Sequence, residues 1–407
     1  MDIDATSEQA PPPTPVSMWQ FVLYFLRLGA VGFGGPVALA NYMRRDLVER
    51  RGWLTAREYE NGLALAAACP GPLAYQLGVY CGYVRFGVSG GLAVAVAFGL
   101  APFVIVTVGA WFYVRFVGNW QLRALFYGIA PAVVALIVKA CWNLGKRTLR
   151  NDRLAWIFAI VACAITVIVR KELALMFVTA GILGTVLFAR SPAAGVATAS
   201  APPAKPASGG AKALALVTTA AGGFSGTTAK LFLFFFKTGL LVFGSGLVIV
   251  PFLKMQVVDQ YHWLGNREFL DSVAIGMISP GPVVITATFV GFLLNGFVGA
   301  LAATVGIFSP PVLFTVLATP ILLRYHEHPR LAGFIRGVGV TVVGVLVGTT
   351  YLVGIDAIGD WLTLGIAVVS LLAITYWKRL PEPVVILASG IIGLLTYQII
   401  HPQWLLR

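Results

Sequence analysis

Two short stretches carry the residues with the most chemistry to offer. Pro70-Gly71-Pro72 and Pro280-Gly281-Pro282 interrupt apolar runs at positions 210 residues apart. A break inside an apolar segment frees backbone N–H and C=O groups, which protein, water or a ligand must satisfy. Proline suits the first turn of a helix, so Pro72 and Pro282 each can open a new half-helix. The N-terminus of such a half-helix carries exposed N–H groups and about half a positive charge, which attracts anions. A kink that only serves helix packing is the alternative. Arg27 and Lys237 add positive charge, each two residues before a matched glycine, Gly29 or Gly239. A cation at this depth costs about 2.5–3.5 kcal/mol on the lenient insertion scale, so it faces a cavity, a partner or, by snorkelling, the interface. No intramembrane acid pairs obviously with either cation; Asp271 is the nearest candidate and has no match in the first unit.

Glycine clusters stand close by. "GAVGFGGP" holds Gly34 and Gly35, and "GLLVFGSG" holds Gly244. They resemble phosphate loops only superficially, because neither a strand nor a P-loop lysine accompanies them. Their expected use is close helix approach, which also leaves backbone N–H groups accessible. Gln76, its counterpart Thr286, and Thr288 are neutral donors placed just after the breaks. They suit either an oxyanion or ordinary core hydrogen bonding. Arg57-Glu58 and Arg267-Glu268 precede the breaks and suit local salt bridges, with titration of Glu58 or Glu268 alongside a coupling ion as the alternative.

Other chemistries lack their residues. The four cysteines (Cys69, Cys81, Cys141, Cys163) form no C-x-x-C and lie in or beside apolar segments, so redox and metal spacing is missing. His326-Glu327-His328 is too short and isolated to hold a metal well. The net charge of +13 comes without basic runs interleaved with exposed aromatics, and no nucleic-acid partner is expected. Neither a cofactor nor a catalytic centre is expected.

The elements that must position these groups are transmembrane helices. Of 407 residues, 58% are hydrophobic and 11% charged, against about 25% charged in soluble domains. The acidic, proline-rich start reads as a disordered tail over 1–16 rather than a signal peptide. The rest is a duplication. Phe25–Gly35 matches Phe235–Ser245, Trp53-Leu54 matches Trp263-Leu264, and the breaks match, all at a spacing of 210. A spacing of 209 then pairs Gly82 with Gly291, Pro102 with Pro311 and Gly128 with Gly337. Repeats of this length are a common transporter plan. The units are 17–190 and 229–401, joined by an Ala/Pro/Gly/Ser-rich linker over 191–228 and followed by a tail over 402–407.

Each unit shows six apolar segments, the first near 18–43. Should all twelve cross from an inside N-terminus, 11 Lys and Arg lie inside and 16 outside, against the positive-inside tendency. With each Pro-Gly-Pro segment dipping in and returning, and the N-terminus outside, the counts become 20 inside and 7 outside. The expected fold is therefore an all-α polytopic membrane protein of two inverted-topology repeats. Each repeat has about five spanning helices and one broken re-entrant segment.

The ordered motifs "FLRLGAVGFGGP", "ERRGWLTAREY", "CPGP" followed by "YQLG", and the second copy's "FGSG" and "SPGP" resemble the chromate ion transporter family in its two-domain long form. The resemblance covers both repeats. It implies a secondary transporter in the bacterial inner membrane that exports chromate and confers resistance, with sulfate as the structural analogue. Lys237 and Ser245 replace an arginine and a glycine of the first unit, so the units need not share equally in binding. The expected partners are chromate, sulfate as an alternative cargo, and membrane lipid; a homodimer is an assembly left open. A sulfate carrier is the nearer rival and a membrane-embedded enzyme the more distant one.

Overall fold

A computed structural model describes residues 14–400, apart from 34, 70, 117, 151, 170–173, 189–225, 242, 245–248, 326–328 and 378–379. The tail, most of the linker, the His326-Glu327-His328 stretch, Gly34 and Pro70 therefore lie outside the described residues. The first unit contains α1 (Met18–Val31), α2 (Gly35–Met43, continued by a π-helical stretch Arg44–Arg50), α3 (Ala56–Ala68) and the two-residue β1 (Gly71–Pro72). It goes on with α4 (Leu73–Phe116), α5 (Trp120–Thr148), α6 (Arg153–Val169) and α7 (Ala174–Leu187). The second unit repeats the order: α8 (Gly226–Leu241), β2 (Phe243–Gly244), α9 (Ile249–Leu253, continued by Lys254–Gln260) and α10 (Asn266–Ile278). A 3-10 turn (Val283–Ile285) leads into α11 (Thr286–Tyr325), followed by α12 (Pro329–Ala357), α13 (Trp361–Tyr376) and α14 (Glu382–Ile400).

Among the described residues four stretches are long and apolar enough to cross a membrane: Leu73–Phe116, Trp120–Lys146, Val283–Leu317 and Gly333–Ala357. The outer surface is apolar, with Ile160, Ile168, Val186 and Leu395 exposed, and exposed Trp19, Trp361, Tyr376 and Trp377 lie at helix ends. That is the pattern of a lipid-facing surface with interfacial aromatics.

The first apolar segment departs from the expectation of a single crossing. It stops at Val31, breaks, and restarts at Gly35. Its two ends then come back together: the Thr14 N–H donates to the Gly52 carbonyl at 2.7 Å, and Phe21 packs on Trp53 at 5.6 Å. The Pro-Gly-Pro segment folds back as well. Arg85 donates to the Thr14 carbonyl at 3.1 Å, and a Cβ on Gly62 of α3 would meet the Tyr80 ring of α4. Each unit thus has two broken hairpins sharing one end. The second unit repeats this, with Phe234 on Trp263 at 4.9 Å and Asn295 donating to Thr228 at 2.8 Å. Thr14 lies beside Gly52, so the chain enters on the side of loop 44–57, not opposite it as the charge count supposed. The physical reason is that Gly32 and Gly35, on either side of the break, permit a reversal that apolar composition does not reveal.

After the hairpins, α4 bends back at Gly87 (φ 68°) and α11 at Asn295-Gly296 (φ −151° and 56°). The long limbs 88–116 and 297–325 then pack on the other unit along one face and leave apolar side chains such as Val96, Leu100, Val104, Val108 and Val298 exposed on the other. The units are interleaved. A Cβ on Gly128 of α5 would sit 2.1 Å from the Ser389 carbonyl of α14, and one on Gly337 of α12 would sit 2.3 Å from the Ala180 carbonyl of α7. Small residues let these backbones touch. Both contacts are related by the spacing of 209, so each unit completes its outer helices with those of the other.

Candidate functional site

The four breaks converge. Gly71-Pro72 pairs in parallel with Phe243-Gly244, so the Pro-Gly-Pro of the first unit lies along the glycine stretch of the second. Reciprocally, the Gly281 N–H donates to the Gly32 carbonyl at 3.0 Å. Gly71 (φ 141°) and Gly281 (φ 92°) hold conformations that L-residues rarely adopt. They are also crowded. A Cβ at Gly71 would lie 2.9 Å from Pro311 and 2.6 Å from the Gln76 amide, and one at Gly281 would lie 2.9 Å from Pro102. Each break is therefore seated against the long helix of the other unit.

Pro102 and Pro311 bring a second consequence that spacing alone did not indicate. A proline inside a helix leaves the carbonyl four residues earlier without its donor. Those carbonyls belong to Phe98 and Ile307, and a Cβ on Gly29 or Gly239 would fall 2.5 or 2.7 Å from them. The glycines of α1 and α8 close on backbone that the prolines set free, and Cα–H···O contact suits that approach.

Four helices begin within a few residues of the crossing: α2 at Gly35, α4 at Leu73, α9 at Ile249 and, through the 3-10 turn after Pro282, α11. Those that end there close carbonyls with cap N–H groups. Gly32 donates to Leu28, Cys69 to Leu65 and Ser279 to Ile275, at 2.7, 3.0 and 3.0 Å. Gln76 and Thr286 are both fully buried in the turns after the breaks. The Thr286 hydroxyl donates to the Val283 carbonyl at 2.9 Å, and Thr288 lies 2.7 Å from the Thr304 hydroxyl. Gly71 and Pro72 thus lie along Gly244 with Gln76 beside Gly71, and in the reciprocal crossing Gly281, flanked by Pro280 and Pro282, meets Gly32 and Pro102, with Thr286 in the turn that follows.

Other expected residues sit elsewhere. Arg27 and Lys237 lie on exposed faces of α1 and α8 and make no hydrogen bond or ion pair among the described residues. Asp271 pairs with neither; it bonds to Tyr113. Glu58 serves as the reciprocal cap of α3, bonded to the Thr55 N–H at 2.8 Å, and Glu268 bonds to the Gly265 N–H at 2.9 Å. These acids cap helices instead of forming the salt bridges expected with Arg57 and Arg267.

The chromate transporter family model matches residues 19–185 and 229–394. A chromate transport protein of Cupriavidus metallidurans is 42% identical over 388 residues, covering 94% of each chain. A probable chromate transport protein of Synechococcus elongatus is 39% identical, covering 93% of this chain and 95% of its own. A chromate transport protein of Pseudomonas aeruginosa is 34% identical, covering 97% and 95%. No solved structure matches. Two matched units, apolar helices of spanning length and relatives aligned end to end lead to one assignment: the chain is a multi-pass membrane protein of the chromate transporter family.

Proposed function

We propose that this protein is a secondary transporter of the bacterial inner membrane that exports chromate and binds it where the four breaks cross. The observation that carries this reading is the crossing itself, at which four helices begin. Their N-terminal N–H groups and partial positive charges favour an anion, while α1, α3 and α10, which end there, each have one carbonyl taken by a cap N–H. The relatives' names specify chromate among the anions. Gly34, Gly35, Pro70, Gly71, Pro72, Gln76, Gly244, Pro280, Gly281, Pro282 and Thr286 form the binding region. Arg27 and Lys237 supply long-range attraction from a water-filled approach, since lipid would not accommodate them.

The two units enter the bilayer from opposite faces in this reading. Supporting it, Phe297, which opens the second unit's long limb, packs on Phe103 at 5.9 Å. Tyr113, near the end of the first unit's long limb, packs on Phe289 at 5.2 Å. The opening of the second limb thus lies beside the middle of the first, and the end of the first lies beside the second unit's hairpin, an arrangement that suits inverted repeats. An inside-negative potential favours export of a dianion, at about 2.3 kcal/mol per charge per 100 mV.

Everted vesicles carrying the protein should accumulate chromate when energised, and empty vesicles should not. Sulfate that competes equally and is itself accumulated would assign the carrier to sulfate. Flux that never exceeds equilibrium would make it a channel.

A further inference from the structure

Asp271 is the only carboxylate among the described residues that is buried, at 3% exposure. It lies on α10, the inbound arm of the hairpin that ends at Gly281. The Tyr113 hydroxyl, from the other unit, donates to its Oδ2 at 2.7 Å. The Tyr113 ring is itself boxed by Phe126 and Phe289 at 5.7 and 5.2 Å. No cation pairs with the acid among the described residues. Arg267 and Glu268, one turn earlier on α10, bear opposite charges. With Tyr113 of α4 they are the titratable groups acting on it; the Lys254–Gln260 stretch, which also packs on α10, carries Lys254 and Asp259, and there Lys254 is paired with Asp259 and Asp356.

A buried carboxylate that accepts one hydrogen bond and faces no paired cation is poorly solvated as an anion. The duplication supplies a comparison. The equivalent position in the first unit is Asn61, a neutral amide of the same shape, so the shared architecture does not need an acid there. The acid is found in the second unit alone of the two, on the helix that carries one of the breaks.

We infer that Asp271 is a proton-binding site that couples anion movement to the proton gradient, with Tyr113 as its positioning residue. The inference rests on the export reading. The carboxylate takes a proton from water on one face, and its helix moves with the Gly281 break. The proton leaves on the other face when the acid is again hydrated, and no electron transfer is involved.

Purified protein in liposomes with a trapped pH dye tests this. Asp271→Asn should keep chromate exchange, measured without any gradient, within about twofold of wild type. It should lose both chromate-linked proton movement and uptake driven by a pH gradient, whereas Asp271→Glu should keep them. Tyr113→Phe removes the donor that favours the anion, so the pH of half-maximal proton-driven flux should rise by about one unit. Undiminished proton movement in Asp271→Asn overturns the proposal, as does loss of its exchange at an unchanged thermal midpoint. Should that variant fold poorly, an unshifted pH midpoint in Tyr113→Phe overturns it instead. Absence of chromate exchange in wild type would count against the transporter reading, not against the proton site.

Discussion

Gly71 and Gly281 combine a positive φ with no room for a side chain, and these two constraints add. Backbone strain of this kind costs about 1–3 kcal/mol, and forcing a methyl against Pro311 or Pro102 costs about 1–3 kcal/mol more. Gly71→Ala and Gly281→Ala should each lower chromate flux at least about tenfold while the protein still reaches the membrane, the equivalent of about 1.4 kcal/mol in barrier height. Flux and membrane abundance measured side by side check this; normal flux would reduce the glycines to spacers. Arg27 calls for a different experiment, because it makes no hydrogen bond or ion pair among the described residues. Arg27→Lys retains the charge and should transport with a raised half-saturating chromate concentration. Arg27→Gln removes it and should transport little. Equal and near-normal initial rates for both would take Arg27 out of the approach path. At this scale the sequence was informative where a residue type breaks an apolar helix, as for Gly71 and Gly281. It named Asp271 but was silent on its bond to Tyr113, which spans 158 positions and leaves no local trace.

The elements are joined by glycines that let backbone meet backbone. A Cβ on Gly344 of α12 would lie 2.1 Å from the Ala159 carbonyl of α6. Gly344→Val should therefore push the helices apart at a cost of about 1–3 kcal/mol. A lowered thermal midpoint in detergent, with chromate affinity unchanged in whatever fraction remains folded, is the expected result. The Pro-Gly-Pro hairpins were legible because proline and glycine break a helix through their own chemistry. The hairpin at 32–35 was not, because a glycine-rich apolar stretch serves close packing and reversal equally well. Glu58 was misjudged for a related reason. Beside Arg57 it suggested a pair, but three residues after Thr55 it completes a capping box, and the box is what forms.

For the molecule as a whole, two units with odd and matched breaks were readable from the constant spacing. The exchange of outer helices between them was not, since periodicity along one helix does not name its partner. Cysteine labelling in intact cells should find positions 14 and 52 on one face and 262 on the other. Labelling of 52 and 262 from the same face would overturn the opposed arrangement of the units, and labelling of 14 opposite 52 would overturn the first hairpin.

The exchange of outer helices also bears on how the chain is made. Gly128 of α5 rests against Ser389 and Gly393 of α14, which leave the ribosome about 260 residues later. At about 5–20 residues per second, α5 waits roughly 13–50 s for the surface it fits. During that interval its glycine face has only lipid or an insertion chaperone for company. Slowing translation between the units should therefore lengthen the time over which a newborn chain is open to membrane proteases.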